Sequence, residues 1–170
     1  LALKLLIATG QRVEEVLQAH WGEFDLNDKL WTIPAERRKT RRDVTEPHIV
    51  PLTGFHIELL DQVREATSHP DWLFPHQDRK QPRKADSLYQ AVNRFCRSNN
   101  IEPFAPRDCR RTFKTLAGSI EIDLELRNRL QGHAMTDVGS VYYDRWTYLR
   151  EKKRAMEIWS MWLETTVTRV

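Results

Sequence analysis

Residues 23–52 read EFDLNDKLWTIPAERRKTRRDVTEPHIVPL, and this stretch decides the fold. EFDL, a turn at Asn27 and Asp28, and KLWTIP alternate in polarity as the two arms of a hairpin do. HIVPL is a third short strand, reached after a long polar excursion. A three-stranded antiparallel patch is therefore predicted, and the chain on either side of it reads as helix. LALKLLIAT is an apolar helix end stopped by Gly10. RVEEVLQAHW resumes with Val13, Val16 and Leu17 at helical spacing, so two helices meet at Thr9 to Gln11. GFHIELLDQVREATS is amphipathic, DWLFP is an aromatic anchor, and DSLYQAVNRFCRSNN is a further amphipathic helix with Asp86 or Ser87 as its N-cap. RDCRRTFKTLAGSI, DLELRNRLQGH and REKKRAMEIWSMWLETT complete the set. The expected class is α+β, mainly helical, with one small three-stranded antiparallel sheet in a single domain.

The 170 residues suffice for one compact core. A formal net charge of +3, a sequence pI near 9.0 and a mean hydropathy of -0.63 describe a mildly basic, water-soluble chain. The basic charge is uneven: RRKTRR at 37–42 is almost wholly cationic, and RDCRRTFK adds Arg107, Arg110, Arg111 and Lys114. No apolar run reaches the roughly 18 to 20 residues a membrane span needs, so no membrane partner is expected. Cys96 and Cys109 lack metal-type spacing, and packed, reduced thiols in the cytoplasm are predicted. The chain opens without methionine inside a helix, and a fragment of a longer protein is the expectation.

Several chemistries find no foothold. There is no glycine-rich phosphate loop with a following lysine, no histidine pair on a helix and no cysteine cluster, so neither a metal nor a nucleotide cofactor is expected. What stands out is a dispersed set of cations at element boundaries, Arg12, Lys39, Arg107, Arg110 and His133, followed by the neighbouring tyrosines Tyr142 and Tyr143. A phosphodiester suits such a set. Its transition state spreads negative charge over the non-bridging oxygens, which arginine forks grip bidentately, and a tyrosine can attack the phosphorus. With an ordinary pKa near 10, that tyrosine needs neighbouring cations or a proton acceptor.

The stretches ATGQRVEEVL, WTIPAERRKTRRD with HIVPL, PRDCRRTFKTLAG, LQGHAM and YYDRWTYLREKKRAMEIW occur in an order that resembles the catalytic domain of tyrosine recombinases, notably integrases of prophages and genomic islands. The likeness covers nearly the whole chain. It implies that Arg12 is the first arginine on the scissile phosphate, supported by Glu15. Lys39, in the loop between the second and third expected strands, corresponds to the lysine that protonates the departing 5′ oxygen; the alternative is one more phosphate-neutralising side chain beside Arg37, Arg38, Arg41 and Arg42. Arg110 matches the second arginine. Arg111 and Lys114 then join the DNA-facing cations.

Arg107 departs from the family, which more commonly has histidine at this position. Arginine accepts no proton near neutral pH, so either another group or water takes the tyrosine proton, or Arg107 serves as a third phosphate donor. His133 matches the histidine that donates a hydrogen bond to the phosphate. Spacing from His133 alone selects Tyr142 as nucleophile, whereas the downstream pattern YDRWTYLREKKRA selects Tyr143, which is the assignment adopted. Trp159, Trp162 and Leu163 on the last helix pack either on a neighbouring protomer or within their own.

The resemblance implies a DNA integrase acting through a 3′-phosphotyrosyl link. Its expected partners are double-stranded attachment sites, copies of itself in a tetrameric synapse, and DNA-bending accessory proteins, and its expected location is the nucleoid-bearing cytoplasm of a bacterium. Arm-binding and core-binding regions would lie outside residues 1–170. The alternatives are a catalytically silent DNA-binding module, a type IB topoisomerase-like rejoining enzyme, and a helical interaction domain without DNA.

Overall fold

The computed structural model describes residues 1–38, 46–133 and 148–167. The sheet follows from the alternation. Strands β1 (Phe24–Asp25), β2 (Leu30–Ile33) and β3 (His48–Pro51) lie in the order β1-β2-β3, antiparallel throughout. Phe24 pairs with Trp31, Trp31 with Val50 and Ile33 with His48. Because side chains alternate along a strand, Trp31 and Ile33 share the buried face while Thr32 is exposed. Phe24 stacks on Trp31 with centroids 5.3 Å apart, and the indole N–H donates to Glu23 Oε2 at 2.9 Å, which satisfies its one polar atom.

Seven helices are described around it: α1 (Ala2–Thr9), α2 (Val13–Leu17), α3 (Gly54–Thr67), α4 (Ala85–Ser98), α5 (Asp108–Ser119), α6 (Leu124–Leu130) and α7 (Leu149–Val167). Gly10 ends α1 with φ +66° and sends its N–H to the Leu6 carbonyl at 2.9 Å. A Cβ at this position would stand 2.7 Å from the Phe113 ring, so close approach of α5 also requires glycine.

The core runs from the buried face of the sheet, α2 and α3 through α1 to α5 and α7. Phe113 meets Trp159 edge to face at 4.9 Å, and Trp159 Nε1 donates to the Ala8 carbonyl at 3.0 Å. Trp159 and Leu163 are buried in this core and Trp162 stacks on Trp159, so α7 packs within its own chain. His56 is buried beside it. Its Nδ1 accepts from the Thr53 N–H and its Nε2 donates to the Ala8 carbonyl, which fixes a neutral tautomer; burial holds its pKa down to about 4.

Two expectations are corrected. The helix expected through Trp21 stops at Leu17, because the backbone groups that would continue it pair with residues 71–73. Leu73 N–H donates to the Ala19 carbonyl, Trp21 N–H donates to the Asp71 carbonyl, and His20 bridges Trp72. The aromatic anchor thus ends α2. Helix α4 starts at Ala85 with Lys84 at the N-cap position and no side-chain cap; Ser87 lies inside the first turn and donates back to the Lys84 carbonyl. Both cysteines are free thiols. Among the described residues no helix is long and apolar enough to cross a membrane.

Candidate active site

The site grows from two left-handed glycine turns, one after α1 and one after α6. Arg12 follows Gly10 as the N-cap residue of α2. Its backbone N–H donates to Glu15 Oε2 at 2.9 Å and its Nη1 to Oε1 at 2.6 Å, so one buried carboxylate holds both ends of the arginine. Glu15 is 2% exposed and Arg12 22%, which leaves the guanidinium reachable while its anchor is not.

Arg110 comes from the first turn of α5. Nη1 donates to the Gly10 carbonyl at 2.8 Å and Nη2 to the Gln131 carbonyl at 2.6 Å, while Gln131 Nε2 returns a bond to the Arg110 carbonyl at 2.8 Å. One fork therefore ties the α1–α2 turn to the end of α6. Burial, then the nearby Arg12 cation, lower its pKa to about 10, partly offset by Glu15; it stays charged at neutral pH.

His133 follows Gly132, whose φ is +61° and whose Cβ, if present, would press on the His48 ring at 3.0 Å. Its Nδ1 lies 3.2 Å from Asn128 Oδ1. Burial foremost, then Arg110, Lys114 and Arg12, push its pKa down to about 4. The same causes show that Arg12, Arg110, Lys114 and His133 share one electropositive region. The imidazole is neutral at pH 7; with Nδ1 donating to Asn128 Oδ1, its Nε2 carries a lone pair, so donating to a phosphate oxygen requires uptake of a proton, which a nearby anion favours.

The remaining cations separate. Arg38 donates to the Glu46 carbonyl at 2.8 Å and the Gly132 carbonyl at 3.2 Å, closing the base of the 39–45 stretch onto the His133 turn. Its pKa is lowered by burial, with Glu15 raising it and Arg12 lowering it, so it borders the arginine pair. Arg37 instead pairs with Glu23 at 2.6 Å, at 18% and 9% side-chain exposure. Arg107 is exposed just before α5 and, among the described residues, makes no side-chain hydrogen bond to the three central groups. Arg111 is exposed and pairs with Asp108 at 3.3 Å. Lys39, Arg41, Arg42, Tyr142 and Tyr143 lie outside the described residues.

Three participants escaped the reading of the sequence. Gln131 braces Arg110, and the fully buried Gln11 donates to the Thr9 and Leu130 carbonyls at 2.8 Å each, so both glutamines brace the joint. Lys152 of α7 donates to the Ile49 carbonyl at 2.5 Å. A polar residue beside each glycine turn was the available signal for the glutamines; nothing local marked Lys152 among its charged neighbours.

Two solved structures share this architecture. The XerH site-specific recombinase bound to its difH substrate, in a pre-cleavage complex, matches with a TM-score of 0.61 at 26% identity, over 88% of this chain and 44% of that one. XerA recombinase gives 0.63 over 99% and 55%, at 17% identity, a likeness of fold alone. The fold is that of a tyrosine-recombinase catalytic domain.

In sequence, the phage integrase family matches residues 1–147. The integrase of Enterobacteria phage P4 is 25% identical over 179 residues, 96% of this chain and 40% of its own length. Prophage integrase IntZ of Escherichia coli K12 is 33% identical over 94 residues, 55% of this chain and 22% of its own. The chain belongs to the phage integrase family, and it spans less than half the length of either relative.

Proposed function

We propose that this chain is the catalytic domain of a site-specific DNA integrase that cleaves and rejoins strands through a 3′-phosphotyrosyl intermediate. The observation that carries the reading is the meeting of Arg12, Arg110 and His133 at one joint, two of them braced by buried groups and all three within electrostatic reach. Two guanidiniums suit the non-bridging oxygens of a phosphodiester, and the imidazole adds a third donor once the phosphate charge draws a proton onto Nε2.

In the reaction, Tyr143 Oη forms a bond to phosphorus as the bond to the 5′ oxygen breaks. Lys39 gives that oxygen its proton, and the tyrosine proton passes to water or another base, arginine at 107 being unable to take it. The 5′ hydroxyl of a partner strand reverses the step. The reaction consumes no metal or nucleotide. The full-length protein acts on duplex attachment sites in the bacterial nucleoid, in a tetrameric synapse, with arm-binding and core-binding regions outside residues 1–170 and with DNA-bending accessory proteins.

The test uses the full-length protein and a nicked duplex spanning the end of the element that encodes it. A denaturing gel with peptide mapping is expected to show a covalent adduct lost in Tyr143→Phe and retained in Tyr142→Phe. The opposite pattern moves the nucleophile to Tyr142. Tight binding without an adduct in wild type sinks the reading in favour of a silent DNA-binding module.

A further inference from the structure

Lys152 has no place in the chemistry just described, yet it is 7% exposed and sits in the first turn of α7. Its ammonium donates to the Ile49 carbonyl of β3, and its backbone N–H donates to the Tyr148 carbonyl at 2.9 Å. Among the described residues no carboxylate lies within ion-pair distance of Nζ. The charged and titratable groups facing it are Arg129 from α6, itself paired with Glu125 at 2.8 Å, Arg38 at the end of the β2 connection, and the neutral ring of His48 beside Ile49 in β3. His48 is held down to about 3, by burial first and then by Lys152 and Arg38, so it is uncharged at neutral pH. A buried ammonium among cations, held by a carbonyl dipole, is costly compared with an apolar side chain of the same length. Such a group stabilises little; it specifies a position.

We propose that Lys152 is a positioning residue for DNA cleavage: its ammonium fastens the first turn of α7 to β3 and so fixes the chain at Tyr148, a few residues beyond Tyr143. The inference rests on the integrase reading above. Tyr143 lies five residues before Tyr148, whose carbonyl caps the same turn, and Arg38 ties the opposite end of the segment, at Gly132, to the base of the 39–45 stretch. Lys152 and Arg38 thus act on the two points where residues 134–147 leave and rejoin the described chain.

Charge gives a readout that mere packing does not. Burial, then Arg129 and Arg38, lower the Lys152 pKa to about 8. Between pH 8 and the ordinary lysine value the unfolded chain binds the extra proton, so this group's linkage raises stability as pH rises. The charged clamp on Ile49 is lost over the same interval. Positioning and stability therefore move in opposite directions.

The experiment compares full-length wild type, Lys152→Met and Lys152→Arg on the nicked duplex, measuring single-turnover adduct formation and DNA affinity from pH 6.5 to 9. In Lys152→Met, which keeps an apolar stem of similar length, cleavage is expected to fall roughly ten- to hundredfold at pH 7 with affinity within about twofold. Its rate should show no step near pH 8. Lys152→Arg, charged throughout, should recover part of the rate and keep it to pH 9. Lys152→Met cleaving at the wild-type rate, or losing affinity and rate in parallel, overturns the positioning role while leaving the integrase reading intact. No adduct in wild type overturns that reading and this role with it.

Discussion

Arg79 and Arg110 perform the same act in two regions of the molecule. Each spreads a guanidinium fork over two backbone carbonyls: Arg79 over those of Thr67 and Ser68, Arg110 over those of Gly10 and Gln131. Arg79 is exposed, and its partners lie within a dozen residues at the end of α3, where a cation ordinarily satisfies the last carbonyls of a helix. Arg110 is largely enclosed and joins turns that are a hundred and twenty-one residues apart in sequence. The contrast teaches that the bond itself does not define a site. What differs is that Arg110 holds two separate segments together beside a second arginine, so the charge is concentrated where the chain converges.

The largest effect expected from this contrast is on cleavage. Arg110→Ala should slow adduct formation by roughly a hundred- to a thousandfold, the usual loss for one fixed donor on a developing oxyanion. Arg79→Ala should leave the rate unchanged and cost about 1 kcal/mol or less in urea unfolding. Equal losses of rate in both would mean that Arg110 acts only through folding.

Two glycines make the same comparison for the backbone. Gly10→Ala combines a left-handed φ with a clash on Phe113 and should cost roughly 2 to 4 kcal/mol in urea unfolding. Gly54→Ala, in open space at the start of α3, should be neutral or stabilising by up to about 1 kcal/mol. A tolerant Gly10→Ala would show that α5 can back away from the α1–α2 turn.

The smallest effect separates the histidines. His48, His56 and His133 all have folded values well below the ordinary one near 6.5, so the unfolded chain binds more protons between about pH 6.5 and 4, and stability falls as pH falls through that window. Unfolding free energy should drop by roughly 1 to 2 kcal/mol between pH 7 and pH 6. Ring resonances of His133 followed by NMR should titrate near 4 without DNA, and higher once a phosphate sits beside the ring. A His133 midpoint near 6.5 in the free protein would dissolve the electropositive cluster.

Much of this was legible in the chain because local chemistry marked it. Gly10 and Gly132 flag turns that only glycine adopts easily, each stands within two residues of a site side chain, and strict alternation at Leu30 to Ile33 fixed the sheet. What was not legible shares one cause. Arg37 and Arg38 are adjacent members of a single basic run, yet one turns to Glu23 and the other to Gly132; their division depends on a helix nearly a hundred residues later. Lys152 is one of four near-consecutive cations on α7, with Arg150, Lys153 and Arg154, distinguished only by what β3 presents to it. The early end of α2 likewise depends on residues 71–73, which no local propensity at Gln18 announces.

The union of α1 with α7 has a consequence in time. Ala8 accepts its hydrogen bond from Trp159, a separation of 151 residues, and Phe113 waits between them. At a synthesis rate of about 5 to 20 residues per second, the first helix leaves the ribosome roughly ten to thirty seconds before its last partner exists. During that interval the helix can meet its early partners, among them His56 at the Ala8 carbonyl, but its side facing α5 and α7 stays uncovered, and contacts of such sequence separation form slowly even afterwards. A stop codon placed between His133 and Trp159 would leave a polypeptide that keeps Arg12, Arg110 and His133 in its sequence but lacks the keystone that closes the domain around them.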